Sequence, residues 1–260
     1  MVPTYQEAGN IEEFLHALRD AVPDAQIVVC DDGSPDGTGQ LAEDVAASRG
    51  KIEVVHRSAK NGLGAAYRHG FRVALDGGAH VVVQMDVDFS HPPSMVADMI
   101  AAVEHGADVA VGSRYVPGGG TPDWPIHRRF LSNYGNRYSR WQLRLELTDL
   151  TSGFRAYRSE TLEAINFEST RANGYGFQIE TGYRLAQIRA KVVELPLVFH
   201  DRVHGDSKMS VKIMAENLAF VTWWGCCIRF PRLTDAFRRT RLGKVAYGLT
   251  DQAPEAVQSS

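Results

Sequence analysis

The chain has 260 residues, 44% of them hydrophobic, with a formal net charge of −3. That is enough apolar material for one sizeable core, no repeat or low-complexity tract divides it, and the charge balance carries no general signature of nucleic-acid binding, so nucleic acid is excluded as a partner. The three cysteines, Cys30, Cys226 and Cys227, form neither a disulfide framework nor a metal-ligand spacing. They sit inside apolar runs and read as buried thiols in a reducing compartment.

The chain opens on Met1-Val2-Pro3-Thr4-Tyr5-Gln6-Glu7. Two residues make a poor strand, so a few apolar residues are expected to be missing upstream. A helix follows with Ile11, Phe14, Leu15 and Leu18 on one face, capped by Asn10 with Glu13 three residues on. Ile27 to Cys30 is a buried strand, and Asp31 to Thr38 a turn-rich loop leading to a helix through Leu41 and Val45. Next come a strand at Ile52 to Val55, a helix from about Leu63 to Leu75, and the apolar strand Val81-Val82-Val83. Pro92-Pro93 open a helix carrying Met99, Ile100 and Val103, Gly106 ends it, and Val109 to Val111 form a strand ending at Ser113-Arg114. This alternation predicts an α/β fold with a mainly parallel sheet.

Ligands of open α/β sheets collect beyond the carboxyl ends of the strands. Asp86 and Asp88 stand at such an end, two apart on an extended segment, so both side chains face the same way. They suit one hard cation, Mg²⁺ or Mn²⁺, completed by phosphate oxygens and water. The plainer alternative is that an Asp there caps the next helix. Glu7, Asp31, Asp32 and Arg114 also follow strand ends, which directs all six residues to one crevice. There Tyr5 can pack on a base and Asp31 can accept from base or ribose donors. The plainer alternative for Asp31-Asp32, turn chemistry and helix capping, accounts for Ser34, Asp36 and Thr38 but leaves the two adjacent acids unexplained. Lys60-Asn61-Gly62-Leu63-Gly64 does not complete a dinucleotide fingerprint: the third small residue would fall at Tyr67, and the loop follows the third strand.

Pro3 to Glu7, Asp31 to Thr38, Asp86-Val87-Asp88 with His91-Pro92, Gly112-Ser113-Arg114-Tyr115 and Thr148 to Arg155 occur in the order found in a known family. From Val2 to Lys208 the chain resembles the dolichol-phosphate (polyprenol-phosphate) mannose synthases, inverting transferases of the GT-A nucleotide-sugar fold. The family usually carries Asn at the place of Gln6, and some members place a Gln metal ligand where Ser90 stands. The resemblance implies that Pro3, Tyr5, Glu7, Val29 and Asp31 hold the guanosine part of GDP-mannose. Asp86, Val87 and Asp88 would meet the diphosphate, with Asp86, Asp88 and Ser90 at the metal, Ser90 weakly or through water. Arg114, Arg128 and Ser132 would receive the polyprenyl phosphate, and Arg202 and Lys208 would close over the donor. Residues 1–208 would thus form the catalytic domain. The alternatives are a sister enzyme using another donor such as UDP-glucose, and an idle relative that binds nucleotide or membrane.

Beyond Lys208, Leu218 to Ile228 is an apolar run of about eleven residues, short of the ~20 that span a bilayer. Arg229, Arg232, Arg238, Arg239, Arg241 and Lys244 follow, opposed by Asp235 alone. Residues 209–249 therefore read as an amphipathic, basic segment lying on a membrane surface, with Trp223-Trp224 at the interface and a separate membrane protein as a candidate partner. The alternative is an ordinary core helix with a solvated basic tail. A helix carrying Leu131, Tyr134, Tyr138, Trp141 and Leu145 on one side reads either as core or as a guide for a prenyl chain. Residues 250–260 read as a disordered end. The expected location is peripheral, on the cytoplasmic face of a membrane.

Overall fold

A computed structural model describes residues 1–58, 61–170, 172, 174–200 and 211–230. The elements run β1 (Val2–Thr4), α1 (Ile11–Ala21), β2 (Ile27–Asp31), α2 (Thr38–Arg49), β3 (Ile52–His56), α3 (Leu63–Asp76), β4 (Val81–Gln84), α4 (Val96–Glu104) and β5 (Val109–Ser113). They continue with α5 (Ile126–Leu143), β6 (Arg155–Arg158), α6 (Ser159–Ala164), α7 (Tyr175–Gln187), β7 (Val192–Pro196) and α8 (Val211–Arg229). The expected basic segment after residue 230 and the expected disordered end lie outside the described residues, as do Arg202 and Lys208.

Strands β1, β2 and β3 pair in parallel, and β4, β6, β5 and β7 form a second ladder in that order. The two meet at Met1, whose amine donates to the Val83 carbonyl at 2.8 Å and whose carbonyl accepts from the Met85 N–H at 3.4 Å. Bonding to the residues on either side of Gln84 is the parallel pattern. Only β6 runs against its neighbours, so the sheet is mainly parallel, as expected.

Helices cover both faces. On one, α1, α2 and α4 bury Phe14, Leu15, Val45 and Met99 against Val2, Val29 and Phe154. On the other, Tyr67 and Phe71 of α3 pack with Tyr157, Phe167 and Phe177. A third cluster holds α5 and α8 to the body through Leu143, Leu145, Leu150, Ile179, Val221 and Trp224. Trp224, expected at a membrane interface, is therefore buried and stacked against Tyr183 at 6.1 Å. Gly225 permits the close crossing of α8 over α5, where a β-carbon would overlap the Gln142 side chain.

Two strands escape the sequence reading. Residues 155–158 read Arg-Ala-Tyr-Arg, yet Arg155 is fully buried, its guanidinium donating to the Ser152 and Leu150 carbonyls and to Thr181 Oγ1 at 2.8–3.0 Å. Strand β7 is a half-buried edge that places only Val192 and Leu195 against the two core clusters, too short a signal to mark it. The expected cap of α1 is also different: Asn10 makes no side-chain cap bond, and its Nδ2 donates to the Glu7 carboxylate at 3.0 Å.

Gln6 and Phe89 lie in the left-handed region, with φ of 57° and 59°. The first offers a clean test, because Gln6 is exposed and Asn tolerates this conformation better than other side chains. Gln6→Asn is expected to raise unfolding free energy by about 0.5–1 kcal/mol in urea denaturation, whereas Gln6→Val should lower it.

Candidate active site

The loops that follow β1 and β2 are laced together at the carboxyl edge of the sheet. The N–H groups of Gln6, Glu7 and Ala8 donate to Ser34 Oγ, Thr38 Oγ1 and Asp36 Oδ2 at 3.0, 2.9 and 3.2 Å. Asp31 is buried at the end of β2 and organises this lacing. Its Oδ1 accepts from Ser34 Oγ at 2.5 Å and Thr4 Oγ1 at 3.1 Å, and its Oδ2 from the Ser34 N–H at 3.0 Å. Asp32 pairs with Arg57 at 2.5 Å beneath the same loop. The turn chemistry left open in the sequence is thus present at Asp31, whereas Asp32 takes an ion pair with Arg57 from beyond β3. Pro3, Tyr5 and Glu7 are partly exposed along this edge. Val29 and Val87 point the other way, into the main core, so their side chains do not line this edge.

The second group follows β4. Asp88 is buried, and its Oδ1 accepts from the Ser90 N–H at 3.1 Å and the Ser90 hydroxyl at 2.5 Å. Asp86 keeps a side chain 35% exposed and accepts a hydrogen bond from the Tyr67 hydroxyl at 3.1 Å. Tyr67 is fully buried between Phe71 and Phe177. Its burial, followed by the adjacent Asp86 charge, lifts its pKa well above 10, so it stays a donor. His91 Nδ1 accepts the Asp86 N–H at 3.0 Å, which requires the neutral ring, and burial accordingly lowers the His91 pKa. The tight turn with Phe89 in the left-handed region thereby presents Asp86 outward while anchoring its backbone.

Two carboxylates supported in this way suit a hard divalent ion. Among the described residues no three His, Cys, Asp or Glu side chains converge on a metal position. An ion here would therefore complete its shell with water and substrate oxygens, the habit of Mg²⁺ and Mn²⁺. The Ser90 hydroxyl is engaged with Asp88, which makes it an orienting group for that carboxylate.

The third group is cationic and lies where β5 ends. Arg114 is buried against Asp149, with Nε at 2.7 Å from Oδ2 and Nη2 at 2.6 Å from Oδ1, and it reaches Thr151 Oγ1 at 2.7 Å. Burial alone would raise the Asp149 pKa, but the Arg114 charge and hydrogen bonds outweigh it and hold the carboxyl below its usual range. Tyr115 bonds Ser132 Oγ at 2.7 Å. The indole of Trp124 is flanked by the Arg128 guanidinium at 4.1 Å from its centroid and that of Arg114 at 5.4 Å. Its buried Nε1–H has no hydrogen-bond partner among the described residues. Arg114, Arg128 and Ser132 thus lie near one another, linked through Tyr115 and Trp124.

The carboxylate and cationic groups adjoin through aromatic rings. His91 stacks on Phe154 at 5.2 Å and meets Phe199 at 6.0 Å. Phe199 in turn lies 5.5 Å from Trp124 and 5.6 Å from the Arg114 guanidinium. Sequence reasoning missed Tyr67, Trp124, Asp149 and the role of His91. Asp149 and His91 stood within motifs already marked, whereas Tyr67 was marked only as the residue that breaks the dinucleotide fingerprint.

Residues 1–165 match the sequence family "Glycosyl transferase family 2". The chain is 44% identical over 243 residues to the undecaprenyl-phosphate mannosyltransferase of Micrococcus luteus, covering 94% of this chain and 98% of that one. It is 43% identical over 239 residues to the polyprenol monophosphomannose synthase of Mycolicibacterium smegmatis, covering 92% and 90%. Its fold is similar to that of a mannosyltransferase from Pyrobaculum calidifontis solved with GDP-Man and Mn²⁺, with TM-score 0.54, 17% identity, and coverage of 96% of this chain and 77% of that one. The chain belongs to glycosyl transferase family 2. It is a glycosyltransferase with the GT-A architecture that the resemblance implied.

Proposed function

We propose that this enzyme transfers mannose from GDP-mannose to a polyprenyl monophosphate, inverting the anomeric carbon. The supporting observation is the crevice in which Asp86 and Asp88 adjoin Arg114, Trp124 and Arg128, in a chain 44% identical to an undecaprenyl-phosphate mannosyltransferase. Pro3, Tyr5, Glu7 and Asp31 line the edge proposed for the guanosine. Arg128, Ser132 and Arg114 flank the position proposed for the acceptor phosphate, and the Trp124 N–H, without a partner among the described residues, adds a donor suited to an anion.

A phosphate monoester has a second pKa of about 6, so the acceptor is largely dianionic at neutral pH and needs no strong general base. The protein's task is to bring two anions together and offset their repulsion. Arg114 is immobilised by Asp149 and gives the acceptor side a fixed positive edge. Asp86, held by Tyr67 and by the His91 bond to its own N–H, is set to orient the sugar or a metal, and Asp88, braced by Ser90, is the principal metal ligand. A divalent ion, Mg²⁺ or Mn²⁺, would be held by Asp86 and Asp88 and would stabilise charge on the departing GDP. Arg202 and Lys208 are proposed to close over that diphosphate. Such an enzyme works as a peripheral protein at the cytoplasmic face of a membrane; among the described residues no helix is long and apolar enough to cross one.

Incubation of the purified chain with labelled sugar nucleotide, short-chain polyprenyl phosphate and Mg²⁺ or Mn²⁺ tests this reading. Label from GDP-mannose should enter the organic phase, and chelator should stop it. Transfer from UDP-glucose in preference to GDP-mannose would overturn the donor assignment.

A further inference from the structure

The loop from Asp149 to Phe154 joins the two halves of the crevice. At one end Thr151 Oγ1 accepts from Arg114 Nη2 at 2.7 Å. Two residues on, Gly153 lies beside the carboxylate group: a β-carbon there would stand 3.6 Å from the Tyr67 hydroxyl, 3.6 Å from His91 Cε1 and 3.8 Å from Asp86 Oδ2. Two residues span about 7 Å at most, so this short stretch runs from the cation of the proposed acceptor site to the exposed carboxylate of the proposed donor site. Its backbone is fixed. The Gly153 carbonyl accepts from Nε2 of the fully buried Gln84 at 2.9 Å, and the same nitrogen donates to Gln178 Oε1 at 2.9 Å. On either side, the Ser152 hydroxyl donates to the Gly112 carbonyl at 2.6 Å and the Phe154 carbonyl accepts from the Gly112 N–H at 2.9 Å, while the Phe154 ring stacks on His91.

Nothing in the chain itself requires glycine at this position. The φ of Gly153 lies outside the left-handed region, so an L-residue fits without strain. Crowding does not require it either, because the distances to Tyr67, His91 and Asp86 are ordinary van der Waals contacts, whereas at Gly112 and Gly119 a β-carbon would overlap the Phe154 ring and the Ser113 carbonyl. Gly153 is partly exposed, as is the Asp86 carboxylate it faces. A backbone brought to the crevice and held there with no side chain to cover it admits a ligand to close approach. Position identifies the part of the ligand. In the displacement proposed above, an acceptor phosphate oxygen bonds the anomeric carbon while the bond from that carbon to the β-phosphate oxygen breaks, its electron pair leaving with GDP. The hexose therefore has to lie between the acceptor cations and the carboxylates proposed to hold metal, the interval that Thr151 to Gly153 crosses.

We propose that Gly153 is a specificity-determining residue for the donor, its absent side chain leaving the space beside Asp86 that the transferred hexose occupies. The inference rests on the sugar-transfer reading above, and binding measured without turnover keeps the two apart. In the full chain, Gly153→Ala should melt at least as high as the parent, because neither φ nor the neighbours oppose a methyl group. With Mn²⁺ present, calorimetric titration should give GDP binding within about twofold of the parent and GDP-mannose binding weakened about tenfold or more. The kcat/KM for GDP-mannose should fall by at least that factor, while KM for short-chain polyprenyl phosphate holds. Gly135→Ala on α5, where a β-carbon meets nothing within 4 Å, should leave all of these unchanged. Undiminished GDP-mannose affinity in Gly153→Ala would overturn the proposal. So would parallel losses of GDP and GDP-mannose, which would set the methyl against the diphosphate or the metal. A variant that melts well below the parent would overturn it as well, since the chain would then need glycine for itself. If the parent binds and uses UDP-glucose but not GDP-mannose, the donor assignment falls, and UDP-glucose against UDP decides this inference by the same criteria. Sugar-selective loss of binding in a parent that transfers nothing would refute the transfer reading and leave the hexose beside Gly153; a parent that binds neither sugar nucleotide would overturn both.

Discussion

Asp88→Asn should lower mannosyl transfer by at least about a hundredfold with little change in thermal stability, since loss of the carboxylate proposed to hold a divalent ion would remove several kcal/mol of charge stabilisation. Asparagine is chosen because its Oδ1 can still accept from the Ser90 N–H and hydroxyl, which bond Asp88 at 3.1 and 2.5 Å. The buried hydrogen bonds are thereby kept and the negative charge alone is lost. Initial rates over a Mn²⁺ titration separate two cases. A partial rescue at high Mn²⁺ places Asp88 at the metal; a variant as active as the parent at every concentration would remove it from the site. Asp86→Asn should be affected in the same direction, because Asp86 is the exposed member of the pair.

The second large effect concerns stability. Arg114 and Asp149 form a buried two-point ion pair, with side chains 6% and 0% exposed. Removing one partner strands the other charge, at a cost of about 3–5 kcal/mol. Asp149→Asn should therefore shift the urea midpoint sharply downward and impair transfer together, whereas Asp149→Glu should recover part of both. The same pair sets an acid dependence. Because the Asp149 pKa is lowered on folding, the native state binds fewer protons at this group than the unfolded chain. Its contribution is complete above the unfolded value of about 3.9 and is lost as pH falls below that toward the native value. Denaturation curves from pH 5 down to 3 should steepen in the parent and flatten in Asp149→Asn; equal slopes would show that the pair does not govern acid stability.

Both effects trace to residues that the sequence exposed unequally. The acids after β4 were legible because an apolar strand, a short spacing and a proline-started helix place them at a strand end by local rules alone. Strands β2 to β5 and helices α1, α3 and α4 were legible from their own apolar runs, α2 from the turn-rich loop before it, whereas β1 read only as a poor two-residue start and needed its pairing with β2 to show. Strand β6 was not, because its burial depends on carbonyls and a hydroxyl that come from elsewhere in the chain to satisfy Arg155. Reading only local capacity also misdirected Asn10, whose expected cap bond lost to the nearby Glu7 carboxylate.

What the sequence by itself determined was the alternating α/β order, the six polar residues assigned to strand ends, and the family whose motifs they follow. These are properties of short segments, written in period and spacing. Tertiary structure alone decided which partner each charge takes and which face each helix hides. Asp149 meets Arg114 across 35 positions, Tyr67 reaches Asp86 from α3, and Val29 turns into the core. Helix α5 shows the reason most directly: its pattern allows either face inward, and the choice fell to the hydrogen bonds that Asn136 and Gln142 find only once the loop before β6 and helix α8 have packed beside it.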